Sequence, residues 1–346
     1  MLVVGAGPAG SVAARVAAAA GVKTIILERK AELGLPVRCA GYVAETIRWH
    51  VDLPSGTLAQ SVAGLRTLLP DGSVQEMAVP GYTINRAALD RHLAIEAVEA
   101  GAELFLKTTA VDRVGDRVLA RQSGRELLIR PGVIIGADGP LSLVARWMGL
   151  ARPQVATAIQ YDFRLSRPLS IAEVYFRSEI RGGYAWLFPA GEVARIGVAF
   201  AAGAREAMAG FRSLLRKIED EGKAIGPALS VTGGLVPIGG PTALRRGNML
   251  LVGDAAGLTH PMTGAGILNA IIAGEIAGLA ASKAVLAGRL DYLEEYEEEC
   301  HFVLGPGLRR AGERRRELDR HWQLSPAGLS QAIRRSWLTF DEYYSG

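Results

Sequence analysis

The opening of the chain is its most constraining stretch. Leu2, Val3 and Val4 give an apolar strand signal that runs into Gly5, Gly7 and Gly10, the G-x-G-x-x-G spacing, and then into an alanine-rich stretch, residues 11–20, that reads as a helix. Each glycine answers a separate need: Gly5 permits the tight turn, Gly7 lets the backbone approach a pyrophosphate, and Gly10 lets the helix pack closely on the strand. Free N–H groups at the helix start then face phosphate oxygens. A second strand over residues 23–28 ends in Glu28, where a ribose hydroxyl would be bound. A glycine triplet alone is often only a turn. Strand, triplet, helix, strand and acid together specify a dinucleotide-binding βαβ unit.

With 346 residues, 49% of them hydrophobic, and 42 glycines, the chain can bury one large core or two moderate ones. The first strand starts almost at Met1, so a chain without a secretory leader and a cytoplasmic location are expected. Cys39 and Cys300 lie far apart and supply neither a disulfide framework nor a metal cluster. The net charge of +4 is modest, and no nucleic-acid partner is expected. Its asymmetry is C-terminal, where residues 291–299 are acid-rich and residues 309–320 arginine-rich. These runs read as solvated helix faces; the alternative is attraction of the arginines to anionic headgroups at the inner membrane face or to a phosphorylated substrate. The most apolar stretch, 264–288, is interrupted by Glu275 and Lys283 and is expected to be too broken to span a bilayer, which leaves peripheral membrane contact.

After Glu28 the loop 29–42 returns toward the nucleotide and brings Cys39 near it, although on composition alone Cys39 reads as a small buried hydrophobe. Residues 64–79 alternate around Pro70-Asp-Gly72, a hairpin signal. A helix from Asn85 to about Gly101 carries Arg86 in its first turn, where a cation opposes the helix dipole unless it binds an anion; a surface arginine reads equally well. Short strands (104–107, 111–114, 117–121, 126–130) precede an apolar strand ending in Asp138-Gly139, a place where doubly wound sheets hold ligands, and a helix through Arg146.

Beyond Leu150, strand-like segments (157–165, 173–177, 183–188, 195–201) and a helix over 204–221 predict a mixed or antiparallel sheet. Tyr184, Trp186 and Phe188 share one strand face, either as a core row or as the aromatic wall of an apolar pocket. Then the chain returns to the nucleotide unit. An apolar strand, 248–254, ends in Gly253-Asp254; a loop carries His260 and Pro261; and Gly264 and Gly266 open a long helix whose N–H groups suit a reduced flavin. His260 reads equally as structural or catalytic. The expected architecture is α/β with an α+β substrate part. A discontinuous Rossmann-like FAD-binding domain (1–64, 82–150, 245–290) carries an inserted mixed or antiparallel sheet substrate domain (65–81, 151–244) and a helical C-terminal region (291–346).

Gly5 to Gly10 with Glu28, Gly136-Ala-Asp-Gly139 and Val252-Gly-Asp-Ala-Ala256 resemble the three nucleotide motifs of the flavoprotein superfamily that includes para-hydroxybenzoate hydroxylase. Within it, Pro36-Val-Arg-Cys-Ala-Gly41, Tyr184-Ala-Trp-Leu-Phe-Pro189 and Pro261-Met-Thr-Gly-Ala-Gly-Ile267 resemble the geranylgeranyl reductase branch, and the match extends to about Gly288. The resemblance implies an FAD enzyme that saturates isoprenoid double bonds of a lipid, a prenyl diphosphate, or a prenylated quinone or chlorophyll side chain. It implies cofactor contacts at Gly5, Gly7, Ala9, Gly10, Glu28, Arg29, Cys39, Ala40, Arg86, Asp138, Gly253, Asp254, Pro261, Gly264, Gly266 and Ile267, and a further one at Ala110 or Val111. Cys39, Tyr184 and Trp186 are the implied catalytic residues, with no metal. The helical C-terminal part is short for the branch, which leaves chain-length preference and membrane docking open. Nothing resembles a second dinucleotide site, so electrons would come from NADPH visiting transiently or from a reduced ferredoxin-like protein.

The reaction itself sets demands. An isolated trisubstituted alkene has no carbonyl to spread negative charge, so protonation must lead or accompany hydride delivery from the flavin N5. The tertiary cation character that results is stabilised by aromatic faces at ~0.5 to 2 kcal/mol each, a use for Tyr184 and Trp186 beyond packing. Cys39, Tyr184, His260 and a held water are the candidate acids. The alternative reading is an FAD-dependent monooxygenase or halogenase of an apolar aromatic substrate, because Tyr184 to Pro189 loosely resembles a halogenase tryptophan motif. A non-catalytic flavoprotein or lipid-binding protein has no feature in its favour.

Overall fold

In the computed structural model, which describes residues 1–345, Leu2–Val4 lies at the centre of a six-stranded sheet. Ile134–Gly136 and then Met249–Leu251 run parallel on one side, Ile25–Leu27 and Glu103–Phe105 on the other, and Arg245–Arg246 forms an antiparallel edge. The inner strands Leu2–Val4, Ile25–Leu27, Ile134–Gly136 and Met249–Leu251 are apolar because they are covered by other elements, which include α-helices and the strand residues Ala110, Val118 and Ala120. Their shared direction brings Gly5, Glu28, Asp138 and the segment leading to Asp254 to the same end of the sheet, the end at which such sheets bind ligands. Helix α1 (Pro8–Ala19) begins earlier than the alanine pattern implies, because Gly7 is its N-cap and Pro8 brings a pre-set φ to its first turn. Helix α2 (Arg86–Glu99) is capped by Asn85, whose Oδ1 accepts the Ala88 N–H at 3.3 Å. The short α3 (Leu143–Trp147) follows the Asp138 turn.

The second sheet has seven strands in the order Ala224–Pro237, Val155–Leu165, Val193–Phe200, Tyr184–Ala190, Ile171–Tyr175, Gly64–Leu68, Val74–Met77. It is mixed, since Ile171–Tyr175 pairs parallel with Gly64–Leu68 while its other pairings are antiparallel. The hairpin around Asp71 therefore belongs to this sheet. The strand Ala224–Pro237 is far longer than its sequence suggests, because Gly226, Gly233 and Gly234 erase the alternation and pairing with Val155–Leu165 holds it. Helix α4 (Ala204–Asp220) covers one face, packing Phe211, Leu214 and Ile218 with Leu187, Ile196 and Val198.

Helix α5 (Ile267–Ala287) corrects an expectation. Its 21 residues are long and apolar enough, by length and composition, to cross a bilayer. Glu275 does not break the run, because it pairs sideways with His50 at 2.8 Å and Arg15 at 3.8 Å. The helix is used as a core element against α1: a Cβ at Gly274 would stand 2.5 Å from the Ala9 carbonyl, and one at Gly278 2.8 Å from that of Ala13. Helix α6 (Glu294–Val303) stays with the nucleotide unit, where Tyr296 donates to the Leu251 carbonyl at 2.5 Å. Helices α7 (Gly305–Asp319) and α8 (Pro326–Ser336) cross to the open face of the second sheet, where Leu318, Trp322, Ile333 and Trp337 join Phe176, Trp186 and Phe188. The arginine-rich α7 is thus not wholly a solvated face. Arg315 is buried and donates to the carbonyls of Pro261 at 3.1 Å and Gly182 at 2.6 Å, with Asp319 at 3.2 Å, since the helix spans two units whose loop carbonyls need donors.

Candidate active site

The three motif glycines have separate surroundings. Gly5 adopts φ +105°, and a Cβ there would meet the Ala137 carbonyl oxygen at 2.4 Å; a Cβ at Gly10 would meet the Gly5 oxygen at 2.0 Å. A Cβ at Gly7 would meet nothing within 4 Å, so the N-terminus of α1 faces open space just where the motif requires a phosphate approach. Ala9 is buried on the same turn. Glu28 is buried and fixed, accepting the N–H of Ala6 at 3.0 Å and of Lys30 at 2.8 Å, while Arg29 is exposed. The strand Thr108–Val114 starts beside it, Thr108 N–H donating to the Glu28 carbonyl at 2.9 Å, with Ala110 buried and Val111 half-buried further along.

Asp138 uses one carboxyl oxygen to cap α3, accepting the N–H of Leu143 at 2.6 Å and of Val144 at 3.4 Å; its Oδ1 is buried without a partner. Asp254 accepts the Thr259 hydroxyl at 2.8 Å, and Gly253, at φ +58°, closes against Ala9 and Ala270. Burial raises the pKa of both acids. Gly264 is exposed at φ +66°, and Gly266 caps α5 beside Asp254 Oδ1. Ile267 is buried with Val12, Ile84 and Ile271. An open helix N-terminus, a fixed carboxylate and the unpartnered Asp138 oxygen fit a flavin dinucleotide.

Cys39 is half-buried at the edge of that apolar cluster, and its Sγ accepts the Gly41 N–H at 3.3 Å. Arg86 is not a free surface cation. It donates to Asp90 at 3.0 and 3.1 Å; burial opposes its charge, but Asp90 and Cys39 beside it more than restore it, so its pKa is raised. His260 accepts the Thr263 N–H on Nδ1 at 3.3 Å, and burial pushes its pKa down to about 4. At neutral pH it is an uncharged imidazole.

Tyr184, Trp186 and Phe188 share one face and stand directly opposite Ala199, Gly197 and Arg195, which in turn face Ala158, Gln160 and Asp162. The Tyr184 and Trp186 ring centroids are 6.1 Å apart, those of Trp186 and Phe188 6.2 Å, and Trp337 from the C-terminal region closes on Tyr184 at 5.2 Å. Tyr184 donates its hydroxyl to the Thr263 carbonyl at 2.5 Å, and Trp186 donates to Gln160 Oε1 at 3.4 Å. Burial, and then the nearby Cys39, hold the Tyr184 phenol above its ordinary pKa. A sheet residue thereby bonds the loop that leads into α5. Four residues at this junction escaped the sequence reading: Gln160, Arg195, Arg315 and Trp337. The available signal was Arg195, a cation in alternation with Gly197 and Ala199 on a strand otherwise apolar.

Residues 3–64 match the family of NAD(P)-binding Rossmann-like domains. Nucleotide sheet and inserted mixed sheet together define an FAD-dependent oxidoreductase of Rossmann type. A digeranylgeranylglycerophospholipid reductase of Methanosarcina acetivorans is 37% identical over 325 residues, 86% of this chain and 79% of that protein. The crystal structure of a geranylgeranyl bacteriochlorophyll reductase-like protein from Thermoplasma acidophilum superposes with a TM-score of 0.82 at 27% identity, covering 97% of this chain and 96% of that one. The chain belongs to the geranylgeranyl reductase family of FAD-dependent oxidoreductases. A probable FAD-dependent monooxygenase from Pseudomonas aeruginosa, at TM-score 0.74 and 22% identity, covering 96% of this chain and 98% of that one, shares the fold alone.

Proposed function

We propose that this protein saturates the isoprenoid chains of a prenyl lipid of the digeranylgeranylglycerophospholipid type. The relatives' names support the substrate class. The observation that carries the reading is the Tyr184 hydrogen bond to Thr263, which sets the aromatic row of the sheet domain against the loop leading to Gly264 and Gly266. The nucleotide domain (1–64, 82–150, 245–290) would hold the cofactor, the sheet domain (65–81, 151–244) the lipid, and the helical region (291–346) the cover over the aromatic row.

Bound FAD, once reduced, supplies the hydride. Gly7 and the α1 N-terminus would take its phosphates, Glu28 and Asp254 its hydroxyls, and Gly266 and Ile267 the ring end. The chain's own part in the chemistry is to protonate the alkene and shelter the cation. Tyr184 and Trp186 have their protons committed to Thr263 and Gln160, so they offer ring faces, not acids. His260 is neutral and its Nδ1 is occupied. Cys39 accepts the Gly41 N–H and lies beside Arg86, so the remaining proton sources are its thiol and a held water, of which the thiol is the one that the chain itself supplies. Electrons would arrive from NADPH or a reduced ferredoxin-like protein, at the cytoplasmic face of the membrane that holds the lipid.

Substrate class is tested by stopped-flow reoxidation of the dithionite-reduced protein under anaerobic conditions. Reoxidation by a digeranylgeranyl phospholipid, faster than by free geranylgeranyl diphosphate and absent with an aromatic acid, is expected. Preference for the diphosphate would move the substrate to a soluble prenyl donor.

A further inference from the structure

One guanidinium ties the substrate sheet to the Cys39 loop. Arg195 stands on Val193–Phe200, on the same face as Gly197 and opposite Phe188 in the register. Its Nη1 donates to two main-chain carbonyls, Ala40 at 3.0 Å and Ile84 at 2.8 Å. Those carbonyls belong to segments that already meet, since the Ile84 N–H donates to the Gly41 carbonyl at 2.9 Å. Gly41 makes room for the clamp: at φ +81° it carries no side chain, and a Cβ there would stand 2.4 Å from Arg195 Nη1. Cys39 immediately precedes Ala40, and Arg86 lies just beyond Ile84.

The arrangement is costly as a stability device. Burial lowers the Arg195 pKa, with Asp162 and Cys39 opposing that shift, and the two bonded partners are uncharged. A leucine or methionine would fill the space without desolvating a cation. Its gain is geometric, because the two N–H groups of one nitrogen, held in the guanidinium plane, fix two chain segments at a set separation.

We propose that Arg195 is a positioning residue for the reaction: by clamping Ala40 and Ile84 from the substrate side it sets where the Cys39 thiol stands relative to the alkene. This rests on the reading of the site as a prenyl reductase with Cys39 at its centre. Arg195 acts through the main chain of Ala40 and Ile84, to which its guanidinium is bonded.

The test uses the full chain with FAD, in Arg195→Met and Arg195→Lys forms. Flavin absorbance and thermal unfolding establish that cofactor and fold are kept. Two readouts follow: the alkylation rate of Cys39 by iodoacetamide, mapped by mass spectrometry, and reoxidation of reduced flavin across a series of digeranylgeranyl phospholipid concentrations up to saturation. Arg195→Met is expected to slow the saturated turnover rate by about tenfold or more, since small misplacements of a reacting group cost that much, while the lipid KM moves little and the alkylation rate changes at least about threefold. Arg195→Lys, whose ammonium has donors enough for both carbonyls but sits on a stem one bond shorter and without the rigid guanidinium plane, is expected to recover part of each. Turnover and alkylation both within about twofold of the parent would overturn the proposal, as would loss of FAD or fold in both variants, which would make Arg195 a folding strut. The alkylation readout needs no substrate, so a failure of the prenyl reductase reading, seen as no turnover in the parent, is told apart from a failure of the clamp.

Discussion

The indole of Trp186 lies across Gly197 on the neighbouring strand: a Cβ at 197 would stand 2.2 Å from Trp186 Cζ2. The aromatic row owes its geometry to the absence of a side chain opposite it. Gly197→Ala is therefore expected to push the indole off Gln160, to cost about 1–3 kcal/mol in urea unfolding as an overpacked core does, and to lower turnover while leaving FAD content unchanged. Near-ultraviolet circular dichroism reports the displaced ring. An unchanged spectrum and rate would mean the row tolerates repacking.

Gly7 and Gly10 separate cofactor binding from folding. Gly7→Ala places its methyl in open space, so the apo protein should keep its unfolding temperature while FAD binding weakens by about tenfold, or ~1.4 kcal/mol. Gly10→Ala drives a Cβ to 2.0 Å from the Gly5 oxygen and should destabilise the apo protein itself. Equal effects of both on stability, measured by calorimetry without FAD, would contradict the division.

Glu28→Ala and Asp254→Ala remove the two acids at the strand ends. Each should weaken FAD by about tenfold to a hundredfold, the worth of a charge-assisted hydrogen bond of ~1.5–3 kcal/mol. Fluorescence titration of apo protein with FAD measures it. Glu28→Ala should also cost stability, because the Ala6 and Lys30 N–H groups lose their acceptor.

The nucleotide sheet was legible because its strands are local apolar runs and its motif glycines sit at fixed spacing. Glu28 and Asp254 could be placed from strand ends alone. The substrate sheet was legible in class but not in extent, since Ala224–Pro237 takes its conformation from its partner strand and not from its own pattern. Arg195 and Arg315 were hidden for a related reason. Their partners are carbonyls of Ala40, Ile84, Gly182 and Pro261, groups every residue carries, so no residue type marks the contact in advance. Helix α5 misled in the opposite direction: two charges suggested an interruption, whereas Glu275 lies on a lateral face and pairs with His50.

His260 predicts an acid limit to stability. Its folded pKa of about 4 lies below the ordinary 6.5, so as pH falls below 6.5 the unfolded chain binds a proton that the folded chain refuses until about pH 4. Stability is full above pH 6.5 and is lost through that window. His260→Asn should remove about 3 kcal/mol of that pH dependence, seen in urea midpoints between pH 7 and pH 4. An identical pH profile in the variant would show that the imidazole titrates normally.

Mass spectrometry of the lipid after one anaerobic reaction shows whether the protein saturates a prenyl chain and whether Cys39 takes part. The FAD-loaded protein is reduced, mixed with a digeranylgeranyl phospholipid, and the lipid extracted, with Cys39→Ala run alongside. The expected result is a gain of two hydrogens per saturated double bond with concurrent reoxidation of the flavin, and loss of both in Cys39→Ala at unchanged FAD content. Reduced flavin that persists beside a lipid of unchanged mass would contradict the assignment, and a normal yield from Cys39→Ala would take the thiol out of the proton path.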